Sequence, residues 1–218
     1  MVGIFPGVRA QDIIAFVRKF SSDEERSVVK EVSMDMAGTM ENIAKNVFPE
    51  AIQTVDRFHV MKNVLEDMSA LITSCKTAIK KVYLEEQDRA KIERRQPRHQ
   101  RYGNSETLLE IITRGRYQLL QRRSDWNLTQ HMRWDCFALI PELQNIAAMY
   151  QQVEKIFEIY DDKESTRDTA KTAFHAWFAD ISRLDFITEL QNTGRMIKHH
   201  LERILNYFHS RLTNGYAE

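Results

Sequence analysis

The chain has 218 residues, 43% of them hydrophobic and 28% charged, which is enough for one or two domains with a real core. No apolar run approaches the ~18 residues needed to cross a bilayer, and the first residues lack a signal-peptide pattern, so neither a membrane-spanning nor a secreted protein is expected. Two cysteines, Cys75 and Cys136, form neither a disulfide framework nor a paired-cysteine metal spacing, and a cytoplasmic location is the default expectation.

Taken in chain order, "VGIF" is a short apolar start closed by the turn signal "PG". Ile13, Phe16, Val17 and Phe20 recur at helical spacing and predict a helix over residues 10–20. "VVKEVSMD" predicts a brief strand with Val32 and Met34 on one face. Met40, Ile43, Ala44 and Val47 form the next helical stripe, which Pro49 ends by removing a donor and restricting its predecessor. "AIQTVD" is a second strand candidate. Alternating strands and helices predict a short, partly parallel sheet with crossover helices. Ligands gather at the carboxyl ends of such strands, where Asp35 and Asp56 fall.

Beyond Asp56 the pattern becomes helical. Phe58, Met61, Leu65, Met68, Ile72, Cys75, Ile79 and Val82 are spaced alternately by three and four, a heptad seam on one long helix. Pro97 and Gly103 interrupt the periodicity, and "SETLLEII" resumes it with a serine and an acid at capping positions. Further stripes run from Leu143 to Tyr160, started by Pro141, from Ala170 to Ile181, and from Met196 to Leu212, where "TNG" supplies a helix stop. "DDKEST" reads as the loop between the first two.

The net charge of zero hides a segregation. Residues 87–123 carry 10 basic and 4 acidic groups, whereas 1–86 carry 11 and 13, and 124–218 carry 10 and 14. The candidate nucleic-acid contacts in this stretch are Arg89, Lys91, Arg94, Arg95, Arg98, Arg101, Arg114, Arg116, Arg122 and Arg123. A solvated charged linker is the competing reading.

Three places could carry chemistry. Asp35 at a strand end can hold a hard cation such as Mg²⁺, or serve as a helix cap or Asx-turn. In "DRFH", Asp56 and His59 share a helix face and can act together, or Asp56 simply caps the long helix. Glu218, in "RLTNGYAE", has nothing local that makes it catalytic. His199 and His200 point about 100° apart on a helix and are read as surface or satisfied core histidines. No phosphate-binding glycine loop, nucleophile elbow or zinc-finger spacing is found.

"VSMDMAGTMENIAKNVFPEAIQTVDRFHVMKNV", followed much later by "LERILNYFHSRLTNGYAE", resembles the ISL-three family of bacterial insertion-sequence transposases. "VGIFPGVRAQDIIAFV" resembles the family's "PGR" segment, so the likeness covers nearly the whole chain. The resemblance implies a ribonuclease-H-like α/β core with an Asp-Asp-Glu triad, interrupted by a large all-helical insertion and predominantly helical overall. It makes Asp35 the second acid and Glu218 the third, both metal ligands, with Asp56 and His59 in supporting roles. It implies metal-dependent strand cleavage and joining on DNA with Mg²⁺ or Mn²⁺, and no small-molecule cofactor.

The expected division is 1–86 as partial core and exit helix, 87–192 as insertion with a basic linker over 87–123, and 193–218 as the core helix and turn carrying the third acid. The family's first acid has no counterpart here, since Asp12 falls in the first predicted helix and Asp23 in a polar loop. The chain is therefore expected to be a transposase fragment that is inactive and binds no metal pair by itself. The alternatives are a non-catalytic DNA-binding or regulatory truncated transposase, and a helical dimerisation module acting as a homodimer.

Overall fold

A computed structural model describes residues 9–103 and 105–211. The elements, in chain order, are α1 (Ala10–Phe20), α2 (Asp23–Ser27), β1 (Glu31–Met34), α3 (Gly38–Val47), β2 (Ile52–Val55), α4 (Arg57–Ile92), α5 (Leu108–Gly115), α6 (Leu128–Leu139), α7 (Gln144–Asp161), α8 (Arg167–Ile181), α9 (Thr188–His199) and α10 (Leu201–Ser210), with short 3₁₀ turns around residues 118–125 and 141–143. The chain is thus mostly helical, with one two-stranded parallel sheet among the described residues. "VGIF" and "TNG" lie outside them.

Contacts divide the chain into two compact units. The first takes the described parts of Met1–Lys62, Asp162–His175 and Arg195–Glu218. In it β1 and β2 pair in register Glu31–Ile52 through Met34–Val55, with α3 as the crossover that a parallel pair requires. α3 buries Ile43, Ala44 and Val47 and turns Met40 outward. Pro49 cannot donate to a further turn, and the helix closes on Phe48 N–H to Ala44 O at 2.9 Å. α1 packs on α3, where Arg18 Nη2 donates to Asn46 O at 2.7 Å. Asp23, expected in a loop, opens α2 instead, because Ser22 and Glu25 form a reciprocal capping box.

The second strand has one edge on β1, with Ile52 N–H and Asp56 N–H donating to Lys30 O and Met34 O at 2.9 Å each. Alternate residues therefore face the other edge, and there Asn206 Nδ2 of α10 donates to Gln53 O at 2.9 Å. A helix side chain thus covers an edge that would otherwise be open to pairing.

The second unit takes Asn63–Asp161 and Ala176–Gly194. Its core includes Met68, Ile72, Ile111, Leu119, Phe137, Tyr150 and Trp177, each almost wholly removed from solvent. Trp126, Trp134 and Tyr150 cluster with ring centroids 5.0–5.6 Å apart. The polar tips of these large rings are satisfied by backbone: Trp126 Nε1 donates to Gln118 O and Tyr150 OH to Gln121 O, both at 2.8 Å.

Three local expectations change. The heptad seam holds at Met68, Ile72 and Ile79, but Phe58 and Val82 are 44% and 66% exposed, and Val60 and Val64 are buried in place of the seam's first residues. The cap of α5 is Thr107 with Glu110 rather than Ser105 with Glu106. The stripe from Met196 onward is broken at His200 into α9 and α10, and the final helix ends at Ser210 with Arg211 in the left-handed region (φ 58°).

Candidate functional site

Asp35 and Asp56 each follow a strand directly, one step beyond the paired residues Met34 and Val55, so they share the carboxyl edge of the sheet. Asp35 is half-buried. Its Oδ1 accepts from Ala37 N–H at 2.9 Å, an Asx-turn leading into α3. Its second oxygen has no hydrogen-bond partner among the described residues. Asp56 is 2% exposed and fixed twice, by its own N–H to Met34 O at 2.9 Å and by Oδ1 accepting from Phe58 N–H at 3.0 Å. It therefore caps α4. His59 lies in the first turn of that helix, its N–H donating to Asp56 O at 3.1 Å and its ring set edge-on to Phe58.

A second cluster joins α3 to α10. Glu41 Oε1 accepts from Lys45 Nζ at 2.6 Å and from Arg203 Nη2 at 2.5 Å, while Arg203 Nη1 lies 3.0 Å from His200 Nδ1. The Lys45 hydrogen bond leads the effects that hold the Glu41 carboxyl below its usual range. Burial, then the charge of Arg203, pushes His200 down, which favours the neutral ring as an acceptor for Arg203. Residues 41 and 203 lie 162 apart in sequence, and no local pattern announces the pair.

The end of α10 is tied down by Arg211, whose Nη2 donates to the carbonyls of Asp162, Lys163 and Ser165 at 2.7–3.2 Å. Ser210 Oγ donates to Glu31 Oε1 at 2.8 Å, the same oxygen that accepts the Thr54 hydroxyl. Glu218 lies outside the described residues. Two carboxylates at one sheet edge have the hard oxygen donors that Mg²⁺ or Mn²⁺ takes. No group of three His, Cys, Asp or Glu residues close enough to hold a metal ion occurs among the described residues. Asp35, with one oxygen left over from its Asx-turn, thus fits part of a metal site and not a whole one.

Within the basic segment α4 continues to Ile92, and α5 follows from Leu108. Arg95 binds Glu86 at 2.6 and 3.2 Å and Glu93 at 2.5 Å. The Arg95 bonds to Glu86, with the Arg98 N–H, hold the Glu86 carboxyl down at about 2. Lys91 pairs with Asp88 at 3.0 Å, Arg114 with Glu106 at 2.8 Å, and Arg122 with Asp161 at 2.5 and 2.8 Å. Arg101 donates to Ser105 O at 2.5 Å. Arg116 lies over Tyr117, and Arg123 over Trp126 and Trp134. Arg89, Arg94 and Arg98 make no ion pair among the described residues. Sequence counting found the ten charges but missed the carboxylates that occupy several of them.

No helix among the described residues is long and apolar enough to cross a membrane. No curated protein and no solved structure matches the chain significantly. A family-wide sequence profile does match it: that of the DDE transposases of ISL3 type, described simply as transposase, over residues 1–218. With the profile spanning every residue, the chain belongs to the ISL3 family of DDE transposases.

Proposed function

We propose that this chain supplies part of the phosphoryl-transfer site of a DNA transposase, with Asp35 as a metal-binding acid on a ribonuclease-H-like core. The observation that carries this reading is the placement of Asp35 and Asp56 at neighbouring carboxyl ends of a parallel strand pair, in a chain of a DDE family. Asp35 has an oxygen to offer, while its other oxygen is used to set the carboxylate's direction through the Asx-turn. Asp56, buried and held at backbone and side chain, orients the edge rather than ligating, and His59 faces the DNA or the site from the first turn of α4. Glu218 is the second metal acid in this reading. Residues 87–192 form an insertion between the acids, and 193–218 return the chain to the core.

Asp35 and Glu218 would hold Mg²⁺ or Mn²⁺, which would supply charge neutralisation for an attacking water or 3′-hydroxyl and for the leaving oxygen. The chain's own contribution is to fix the acids at a rigid sheet edge before the DNA arrives. No strand-end acid precedes Asp35 among the described residues, because Asp12 sits in α1 and Asp23 in α2. Full activity therefore calls for one further carboxylate. The test is a strand-cleavage and joining assay with Mg²⁺ or Mn²⁺, on this chain and on forms lengthened at either end. The expected result is activity in a lengthened form alone, abolished by Asp35→Ala and lowered about 10–100-fold by Asp56→Asn. Activity that survives Asp35→Ala refutes the assignment.

A second reading, a non-catalytic DNA-binding or regulatory role, is favoured by the cations at Arg89, Arg94 and Arg98 that lack ion pairs among the described residues. It predicts DNA affinity that falls steeply with salt in the absence of any metal. Absence of binding at low salt removes it.

A further inference from the structure

The helical unit contains a cavity of about 500 Å³ beside α4, bounded also by residues 98–102 and the start of α5. That volume is in the range of a small-ligand site. Ile79, Val82, Leu108 and Leu109 give it apolar walls. Tyr83 and His99, also in its lining, are stacked face to face, 3.7 Å between centroids and 7° from parallel. The Nε2 atom of His99 is buried with no hydrogen-bond partner among the described residues. Such an atom costs stability unless something completes it.

Arg89 and Arg98 also line the cavity, and both belong to the few cations of the basic segment without an ion pair among the described residues. The facing acid Glu86 is matched by Arg95, by the Arg98 N–H and in part by the charge of Arg89, which leaves the Arg98 guanidinium uncancelled by it. Glu85 and Glu142 also line the cavity and suit the exocyclic amines of a base better than a phosphate.

A flat heteroaromatic ring extends the aromatic stack and fills the space between the aliphatic walls. The two guanidinium groups suit an attached phosphate. We propose that this cavity binds an unpaired nucleobase together with its phosphate. The source is either a DNA single strand, which rests on the transposase reading above, or a free nucleotide, which does not.

The test uses the 218-residue chain and the fluorescence of 2-aminopurine, which stacking quenches. The probes are a single-stranded oligonucleotide carrying it, the matching duplex, and deoxyadenosine monophosphate as competitor. The expected result is saturable quenching of the single strand, weaker by roughly tenfold in Tyr83→Leu and in Arg98→Ala, with unchanged circular dichroism. Arg89→Ala, at an exposed position, provides a further variant that leaves the core untouched. Competition by the monophosphate at concentrations comparable to the oligonucleotide assigns the site to free nucleotides; its failure to compete assigns the site to a strand. No quenching by the wild-type chain, or quenching indifferent to all three substitutions, overturns the proposal. A protein that quenches but cleaves DNA independently of Asp35 loses the active-site reading and keeps this one. A protein that cleaves without quenching loses this one alone.

Discussion

Replacing Glu106 with leucine removes the carboxylate that holds Arg133 inside the helical unit. The two side chains are 7% and 9% exposed, and they meet in a two-pronged pair, Nε to Oε2 and Nη2 to Oε1, at 3.0 Å each. With the carboxylate gone, Arg133 keeps Gln118 Oε1 at 3.5 Å, the outer limit of a hydrogen bond. A guanidinium cannot shed its proton at any working pH, so the charge stays buried. Breaking such a pair from one side costs about 3–5 kcal/mol. Arg114, which also binds Glu106, is 55% exposed and turns to water with little penalty. Against a total stability of about 5–15 kcal/mol, the single substitution is a severe lesion. The pair Glu106→Leu with Arg133→Met removes both charges and is expected to lie within about 1 kcal/mol of wild type or above it. Urea unfolding followed by far-ultraviolet circular dichroism measures both. A single-mutant cost under about 1 kcal/mol, or a double mutant no better than the single, refutes the reasoning.

Gly115→Ala places a methyl carbon 2.6 and 2.7 Å from two ring atoms of Phe137, a fully buried residue, and is expected to cost about 1–3 kcal/mol in the same assay; an unchanged midpoint contradicts it. Burial raises the Asp67 carboxyl above its usual 3.8, with Glu189 and Glu66 adding to the rise. The folded state therefore holds its proton more tightly than the unfolded one, and stability is lost as pH climbs from the usual value through the raised one. Asp67→Asn should accordingly raise the melting temperature at neutral pH, with the gain fading on acidification; a gain that grows in acid contradicts the sign. If DNA binds the unpaired cations, Arg89→Ala and Arg98→Ala each lower the salt slope of binding by about one, whereas Arg122→Ala, whose cation is held by Asp161, leaves it nearly unchanged; equal effects at Arg122 and Arg98 contradict this.

Much of the fold was legible because local chemistry decides it. The apolar spacing from Ile13 to Phe20 set the first helix, Pro49 closed the crossover helix, and the absence of Gly or Pro after Asp56 gave one continuous helix of 36 residues. The cap of α5 was misread at Ser105, although Thr107 has an acid three residues on and Ser105 does not, the better match to the capping pattern. The break at His200 was not readable, since neither Gly nor Pro marks it and His200 bends the chain while bonding Arg203. The same limit explains the basic segment. Charge counts see Arg95, Arg114 and Arg122, but their carboxylates are Glu86, Glu106 and Asp161, brought near by folding. At the candidate site, the strand-end positions of Asp35 and Asp56 followed from the β-α-β pattern. Their Asx-turn and capping bonds are the ordinary loop chemistry that the sequence also allowed at these two aspartates.

The proposed phosphoryl-transfer site requires the carboxylates of Asp35 and Glu218 to meet at one sheet edge. Spin labels report this most directly, attached at cysteines replacing those two residues after Cys75→Ser and Cys136→Ala remove the native thiols. The account predicts a distance distribution between positions 35 and 218 as short as that of a control pair at positions 35 and 56. A distribution longer than the control by more than a four-residue strand, about 13 Å, contradicts it.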